Sequence, residues 1–108
     1  VVDDEALVRM LAVEALREEG FTVYDAADAR EALSLMDRHG DVTLVVSDID
    51  MPGMSGVELA REIGRRRPQV RFVLTSGRGC PDRLPPGGRF LAKPYTSAAL
   101  SAQLRWPV

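Results

Sequence analysis

Apolar and polar positions along this chain switch repeatedly between a helical and a strand-like period. After the β-prone pair Val1-Val2, apolar residues at Val8, Leu11, Ala12, Ala15 and Leu16 recur at spacings of three and four, which lays one stripe along a helix. Gly20 follows, where a helix end needs a left-handed residue. Phe21 to Tyr24 is a short β-prone run. Asp28 and Glu31 have capping-box spacing ahead of a second stripe at Ala29, Ala32, Leu33 and Met36, which Gly40 closes. Val42 to Val46 is apolar almost throughout, the pattern of a parallel strand covered on both faces. Ser55 and Glu58 repeat the capping-box spacing before a helix with Leu59, Ala60 and Ile63 inward, and Pro68 stands just beyond its end. Val70 to Leu74 and Arg89 to Ala92 are two further strands, and Thr96 is placed to cap a last helix carrying Leu100 and Leu104.

Strands alternating with helices predict an α/β fold: a parallel sheet, doubly wound, with helices on both faces. In open sheets of this kind ligands bind beyond the carboxyl ends of the strands. Those ends carry Asp3-Asp4, Asp48, Ser76 and Lys93, so separate segments deliver carboxylates, a hydroxyl and an ammonium to one edge. Clustered carboxylates repel and need a compensating cation or raised pKa values. A hard divalent ion such as Mg²⁺ fits two or three of them. An aspartate can also act as a nucleophile and form an acyl phosphate, a transfer that needs little beyond positioning and neutralisation of oxygens. Each residue also has a plainer role. Asp3-Asp4 suits the start of a helix, Lys93 a solvated cation, Ser76 a polar strand end and Phe90 the core. Asp48, after a buried strand, is the hardest to explain that way, because an unpaired buried carboxylate is costly.

Composition narrows the class. The 108 residues are 45% apolar and 28% charged, ordinary values for one globular domain. The net charge of −2 makes the domain a poor binder of nucleic acid, and no apolar run is long enough to cross a membrane. Cys80 has no cysteine to pair with and reads as an incidental loop thiol, which together with the lack of a leader fits the cytoplasm. The chain opens directly in a β-prone pair, so the natural first strand is expected to begin earlier, in a longer parent protein. His39 and the run Arg65-Arg66-Arg67 both suit helix C-termini, where the dipole favours positive charge.

Four motifs taken in order resemble the response-regulator receiver domain of two-component signalling, essentially from end to end. They are Val1-Val2-Asp3-Asp4-Glu5; Ser47-Asp48-Ile49-Asp50-Met51-Pro52-Gly53-Met54-Ser55-Gly56; Leu74-Thr75-Ser76-Gly77; and Lys93-Pro94-Tyr95. The resemblance implies a flavodoxin-like (βα)5 parallel sheet of strand order 2-1-3-4-5, spanning residues 1–108 as one receiver domain with no output domain. It implies that Asp48 is the phosphoacceptor, and that Asp3, Asp4, Asp48 and the backbone carbonyl of Asp50 hold Mg²⁺. Ser76, followed by the small Gly77, is then the switch hydroxyl, and Lys93 contacts the phosphoryl group through a segment whose Lys93–Pro94 bond is cis. Phe90 matches the aromatic that turns inward on switching. The implied partners are a histidine kinase or a histidine phosphotransfer protein as phosphodonor, and a downstream protein that the sequence does not name.

The chain departs from the family in one stretch. Only sixteen residues separate Ser76 from Lys93, and they include Gly77, Gly79, Pro81, Pro85, Pro86, Gly87 and Gly88. Proline and glycine oppose a helix interior, so the fourth helix is expected to be shortened or absent. Asp50 and Arg78 flank the acceptor and the switch hydroxyl by two positions each; the resemblance implies that such positions tune acyl-phosphate lifetime, and Arg78 is placed to pair with Asp50. Two alternatives compete. Asp48-Ile49-Asp50 also resembles the first motif of haloacid-dehalogenase-type phosphatases, although Met51-Pro52-Gly53 does not continue it. A receiver fold used only as a phosphorylation-independent interaction module would have no need of Asp48, Ser76 and Lys93.

Overall fold

In a computed structural model, residues 1–105 are described. Among these described residues, four helices and three strands follow in the order α1 (Ala6–Glu18), α2 (Ala29–Arg38), β1 (Leu44–Asp48), α3 (Gly56–Arg66), β2 (Arg71–Ser76), β3 (Arg89–Ala92) and α4 (Ser97–Ala102). The strands form one parallel sheet in the order β1-β2-β3, with Asp48 opposite Thr75 and Ser76 opposite Ala92. Val2 bridges both Ala26 and Ser47 in parallel. Ladder position therefore runs from the Ala26 segment through Val2 to β1, β2 and β3, which is the expected order 2-1-3-4-5.

The first two strands are reduced to those bridges. Phe21 to Tyr24, expected as a strand, forms none; the pairing on that side of the sheet is the Val2–Ala26 bridge. Val1 bonds the Tyr24 carbonyl at 2.9 Å, and Ala26 and Asp3 exchange bonds with the Val1 and Ala26 carbonyls. Elsewhere the strands run two residues further toward their carboxyl ends than the apolar runs Val42 to Val46 and Val70 to Leu74. Parallel pairing carries the polar Asp48 and Ser76 into the ladder.

Two apolar layers sandwich the sheet. One joins Ala29, Ala32 and Met36 of α2 and Leu59, Ala60 and Ile63 of α3 to Val45, Phe72 and Leu74. The other joins Ala12, Ala15 and Leu16 of α1 and Leu100 of α4 to Val46, Val73 and Leu91. The expected stripe on α1 is rotated: Val13 is buried, whereas Leu11 is exposed along with Leu7 and Met10. Leu104 lies beyond the end of α4 but still packs on the second layer. Among the described residues no helix is long and apolar enough to cross a membrane.

Helix ends follow the capping signals, with one exception. Ser55 and Glu58 complete a reciprocal capping box, and the Asp28 and Thr96 side chains accept from the Glu31 and Ala99 amides. Gly20, at φ 96°, lets α1 finish with the Phe21 amide bonded to the Leu16 carbonyl and the Gly20 amide to that of Arg17. Gly40 does not close α2 in that way. His39 leaves α2 in an extended conformation with its ring stacked on Tyr24 at 3.9 Å, and the Arg67 guanidinium satisfies the Met36 and His39 carbonyls. Arg65 and Arg66 pair with Glu62, so the arginine run serves the helix end.

No helix forms between Ser76 and Arg89 among the described residues. Pro85 to Gly88 instead make a turn closed by a 2.8 Å bond, with Gly87 at φ 75° after Pro86, the geometry of a type II turn. Leu84 anchors this loop on the first apolar layer.

One contact ties the fold to the candidate site. A Cβ on Gly56, the first residue of α3, would land on the carbonyl of Asp48 and against the Cα of Ile49, both backbone. Gly56→Ala is therefore expected to cost about 2–4 kcal/mol of stability, read by chemical denaturation, because neither neighbour can rotate away.

Candidate functional site

The site is assembled from four chain segments. Asp3 follows the Val2 bridge, Asp48 ends β1, Ser76 ends β2, and Lys93 directly follows β3. The parallel register brings these ends level, and the Lys93 amide bonds the Ser76 carbonyl at 2.9 Å. Asp3 and Asp48 are buried, with side chains only 3% exposed, and Lys93 is 11% exposed. The Lys93–Pro94 peptide bond is cis, as expected.

Charge dominates the geometry. Lys93 Nζ lies 3.0 Å from Asp3 Oδ2, 3.1 Å from Glu5 Oε1 and 3.3 Å from Asp48 Oδ2. Burial by itself would lower the lysine's pKa, but Asp3, Glu5 and Asp48 outweigh it and raise it well above the ordinary value. Burial raises the Asp48 carboxyl; Lys93 and the Asp50 amide, which donates to Oδ1 at 3.2 Å, oppose that rise. Tyr95, beside the same charges, is pushed up to about 12 by burial and by Asp3.

Asp3, Asp4, Glu5 and Asp48 can each place a carboxylate oxygen so that all lie within 4.8 Å of one another. Four carboxylates around one ammonium leave a strong excess of negative charge. The donors are hard oxygens, some of them exposed to water, and this suits a small divalent cation that keeps part of its hydration shell. Glu5 enters this cluster although its spacing had marked it only as part of a motif. Its position next to Asp3-Asp4 was the available signal, and the Glu5 amide donates to Asp3 Oδ1 at 2.9 Å.

At the other side of Asp48, the Ser76 hydroxyl donates to Asp50 Oδ2 at 2.5 Å and accepts from the Arg78 amide at 2.9 Å. This corrects the expected pairing of Arg78 with Asp50: the Asp50 carboxylate is engaged by Ser76, and Arg78 reaches the site through its backbone. Thr75, one position earlier and so on the opposite face of β2, points away from this cluster. Phe90 is half-buried on β3, opposite Leu74 in register and outside both apolar layers. Cys80 is an exposed thiol.

A cleft of about 800 Å³ opens over Asp48, Asp50 and Lys93. It is lined by exposed Leu7 and Leu11 and half-buried Val8 of α1, and by Pro94 and Tyr95.

Comparison with known proteins agrees with this geometry. The pattern of the response regulator receiver domain family matches residues 1–105. The chain is 38% identical over 111 residues to the sensor kinase CckA of Brucella abortus, covering 97% of this chain and 12% of that protein. It is 37% identical over 110 residues to the transcriptional regulatory protein TcrA of Mycobacterium tuberculosis, covering 97% and 43%. The chain thus spans less than half the length of either relative. The crystal structure of the receiver domain from the hybrid histidine kinase CckA superposes with a TM-score of 0.81 at 32% identity, over 95% of this chain and 91% of that one. None of these similarities supports the phosphatase alternative.

Removing the central ammonium tests the charge balance. Lys93→Met leaves two buried carboxylates unpaired and is expected to cost about 2–4 kcal/mol at neutral pH. Without Lys93 the Asp48 pKa, already raised, rises further, so the variant's deficit shrinks as pH falls and Asp48 takes up a proton. Millimolar MgCl₂ is expected to recover more stability in the variant than in the wild type, as read by denaturation at several pH values.

Proposed function

The chain belongs to the response regulator receiver domain family, and from that premise we propose that it receives a phosphoryl group on Asp48 from a phosphohistidine donor. The observation that carries the proposal is a buried carboxylate at the end of β1, 3.3 Å from Lys93 and grouped with three further carboxylates. Asp48 Oδ attacks phosphorus as the P–N bond to the donor's imidazole breaks. The imidazole nitrogen keeps the electron pair of that bond, and an acyl phosphate forms on Asp48.

This chain's residues position and neutralise. Lys93, held by Asp3 and Glu5, offers its ammonium to a phosphoryl oxygen. Ser76, at the end of β2, donates its hydroxyl to another once it leaves Asp50. Mg²⁺, when bound, supplies further neutralisation of the phosphoryl oxygens, and Asp3, Asp4, Asp48 and the Asp50 carbonyl are the residues that would hold it. Movement of Ser76 toward the phosphoryl group frees space beside β3, into which half-buried Phe90 can turn, and the modified state is then selected from a pre-existing equilibrium. Asp50 and Arg78 set how long the acyl phosphate lasts. The domain catalyses nothing beyond its own phosphorylation and dephosphorylation. Its partners are a histidine kinase or histidine phosphotransfer protein in the cytoplasm and a downstream protein that reads the switched face.

Because the loop of residues 77–88 stands where a helix would otherwise shape that face, phosphorylation is expected to order it. Slower amide exchange across Gly77 to Gly88 in the phosphorylated domain is the predicted result, and unchanged exchange counts against it. The central test is intact mass after incubation with Mg²⁺ and acetyl phosphate. One phosphoryl group should add to the wild type and none to Asp48→Asn. An adduct that survives the substitution sinks the assignment, and many turnovers of a phosphoester per chain would favour a phosphatase.

A further inference from the structure

A serine hydroxyl has one proton to donate. In this structure that proton is committed: Ser76 Oγ lies 2.5 Å from Asp50 Oδ2, while the Arg78 amide, 2.9 Å away, occupies an acceptor position on the same oxygen. The two contacts fix the direction of the O–H bond toward Asp50. A hydroxyl bonded to a carboxylate at this separation belongs to the stronger, charge-assisted class. Ser76 itself is buried, 2% exposed, so water does not readily replace Asp50 as its partner.

Asp50 is well placed for this contact. Its amide is turned to Asp48 Oδ1 at 3.2 Å, while its exposed side chain reaches across from the loop after β1 to the end of β2. The residue therefore touches both the acceptor carboxylate and the hydroxyl that would answer it. Among the described residues Asp50 has no ion pair, with Arg78 or any other cation, so its polar partner there is the Ser76 hydroxyl.

We propose that Asp50 is a positioning residue that latches the Ser76 hydroxyl in the unphosphorylated domain and competes with a phosphoryl group on Asp48 for its single proton. This rests on Asp48 being the phosphoacceptor. The latch holds Ser76 in its resting position, and a phosphoryl oxygen gains the hydroxyl only as the bond to Asp50 is given up. Asp50 thereby sets how much of the gain from phosphorylation is spent on release of Ser76, and so how far the domain switches. The effect of Asp50 must then depend on Ser76. A carboxylate that merely repelled the phosphoryl group would act equally whether or not the hydroxyl were present.

A double-mutant cycle separates these. In the unphosphorylated chain, Asp50→Ala, Ser76→Ala and the double variant are compared by thermal unfolding. The latch predicts non-additive shifts, the double variant melting within about 1 °C of Ser76→Ala. Additive shifts overturn it. In the second arm, the same four proteins are phosphorylated with acetyl phosphate and Mg²⁺, and the rate of adduct formation is read by intact mass. Asp50→Ala should accelerate the reaction about three- to tenfold when Ser76 is present and less than about twofold when it is Ala. Equal acceleration in both backgrounds overturns the competition and leaves charge repulsion. If the wild type forms no adduct at all, it is the assignment of Asp48 that fails, and the thermal cycle still decides whether the latch exists.

Discussion

Everything at the functional edge depends on one ammonium among buried carboxylates. Asp3 and Asp48 are almost fully removed from water and sit on neighbouring segments of the sheet, an arrangement that is repulsive by itself. Lys93 reaches both within about hydrogen-bond distance and adds Glu5 from the start of α1. It thereby joins the first segment of the chain to the stretch after β3, some ninety residues later in sequence. A buried ion pair of this kind contributes little net stability compared with an apolar core, because desolvation offsets the attraction. What it supplies is position. The carboxylates cannot leave without stranding the lysine, and the lysine cannot leave without stranding them.

The backbone enforces the same geometry from below. The parallel register places the ends of β1, β2 and β3 level, so Asp48, Ser76 and Lys93 emerge side by side. Gly56 lets the first turn of α3 come down onto the carbonyl of Asp48, closer than any residue with a Cβ could approach. The loop between them is thus short and closely held, and it carries Asp50 across to Ser76. The site is built on rigid elements on the carboxylate side, while the side that follows Ser76 is a glycine- and proline-rich loop.

That loop changes what the domain presents to its surroundings. With no helix between β2 and β3, Leu84 packs on the first apolar layer, the turn at Pro85 to Gly88 follows it, and Phe90 is left half-buried. Proline and glycine act here through both states of the chain. They deny the helix its backbone bonds and leave a segment whose order depends on contacts made elsewhere.

The sequence by itself determined the class of fold and which chemical groups end the strands. Alternating periods marked every helix, the strand cores and the capping residues Asp28, Ser55 and Thr96, because those signals are local: a stripe, a side-chain oxygen three residues before an amide, a glycine at a helix end. The four motifs named the carboxylates, hydroxyl and ammonium, and the proline-glycine content announced the missing helix. Tertiary structure decided the rest. Phe21 to Tyr24 has strand propensity yet forms no ladder, and Val13 is buried where Leu11 is exposed, because pairing and docking between elements override a local pattern. Glu5 joined the charge cluster, and Ser76 rather than Arg78 took the Asp50 carboxylate. Both outcomes turn on distances of a few ångströms between segments remote in sequence. Local patterning says which groups reach the edge of the sheet; only packing says which of them touch.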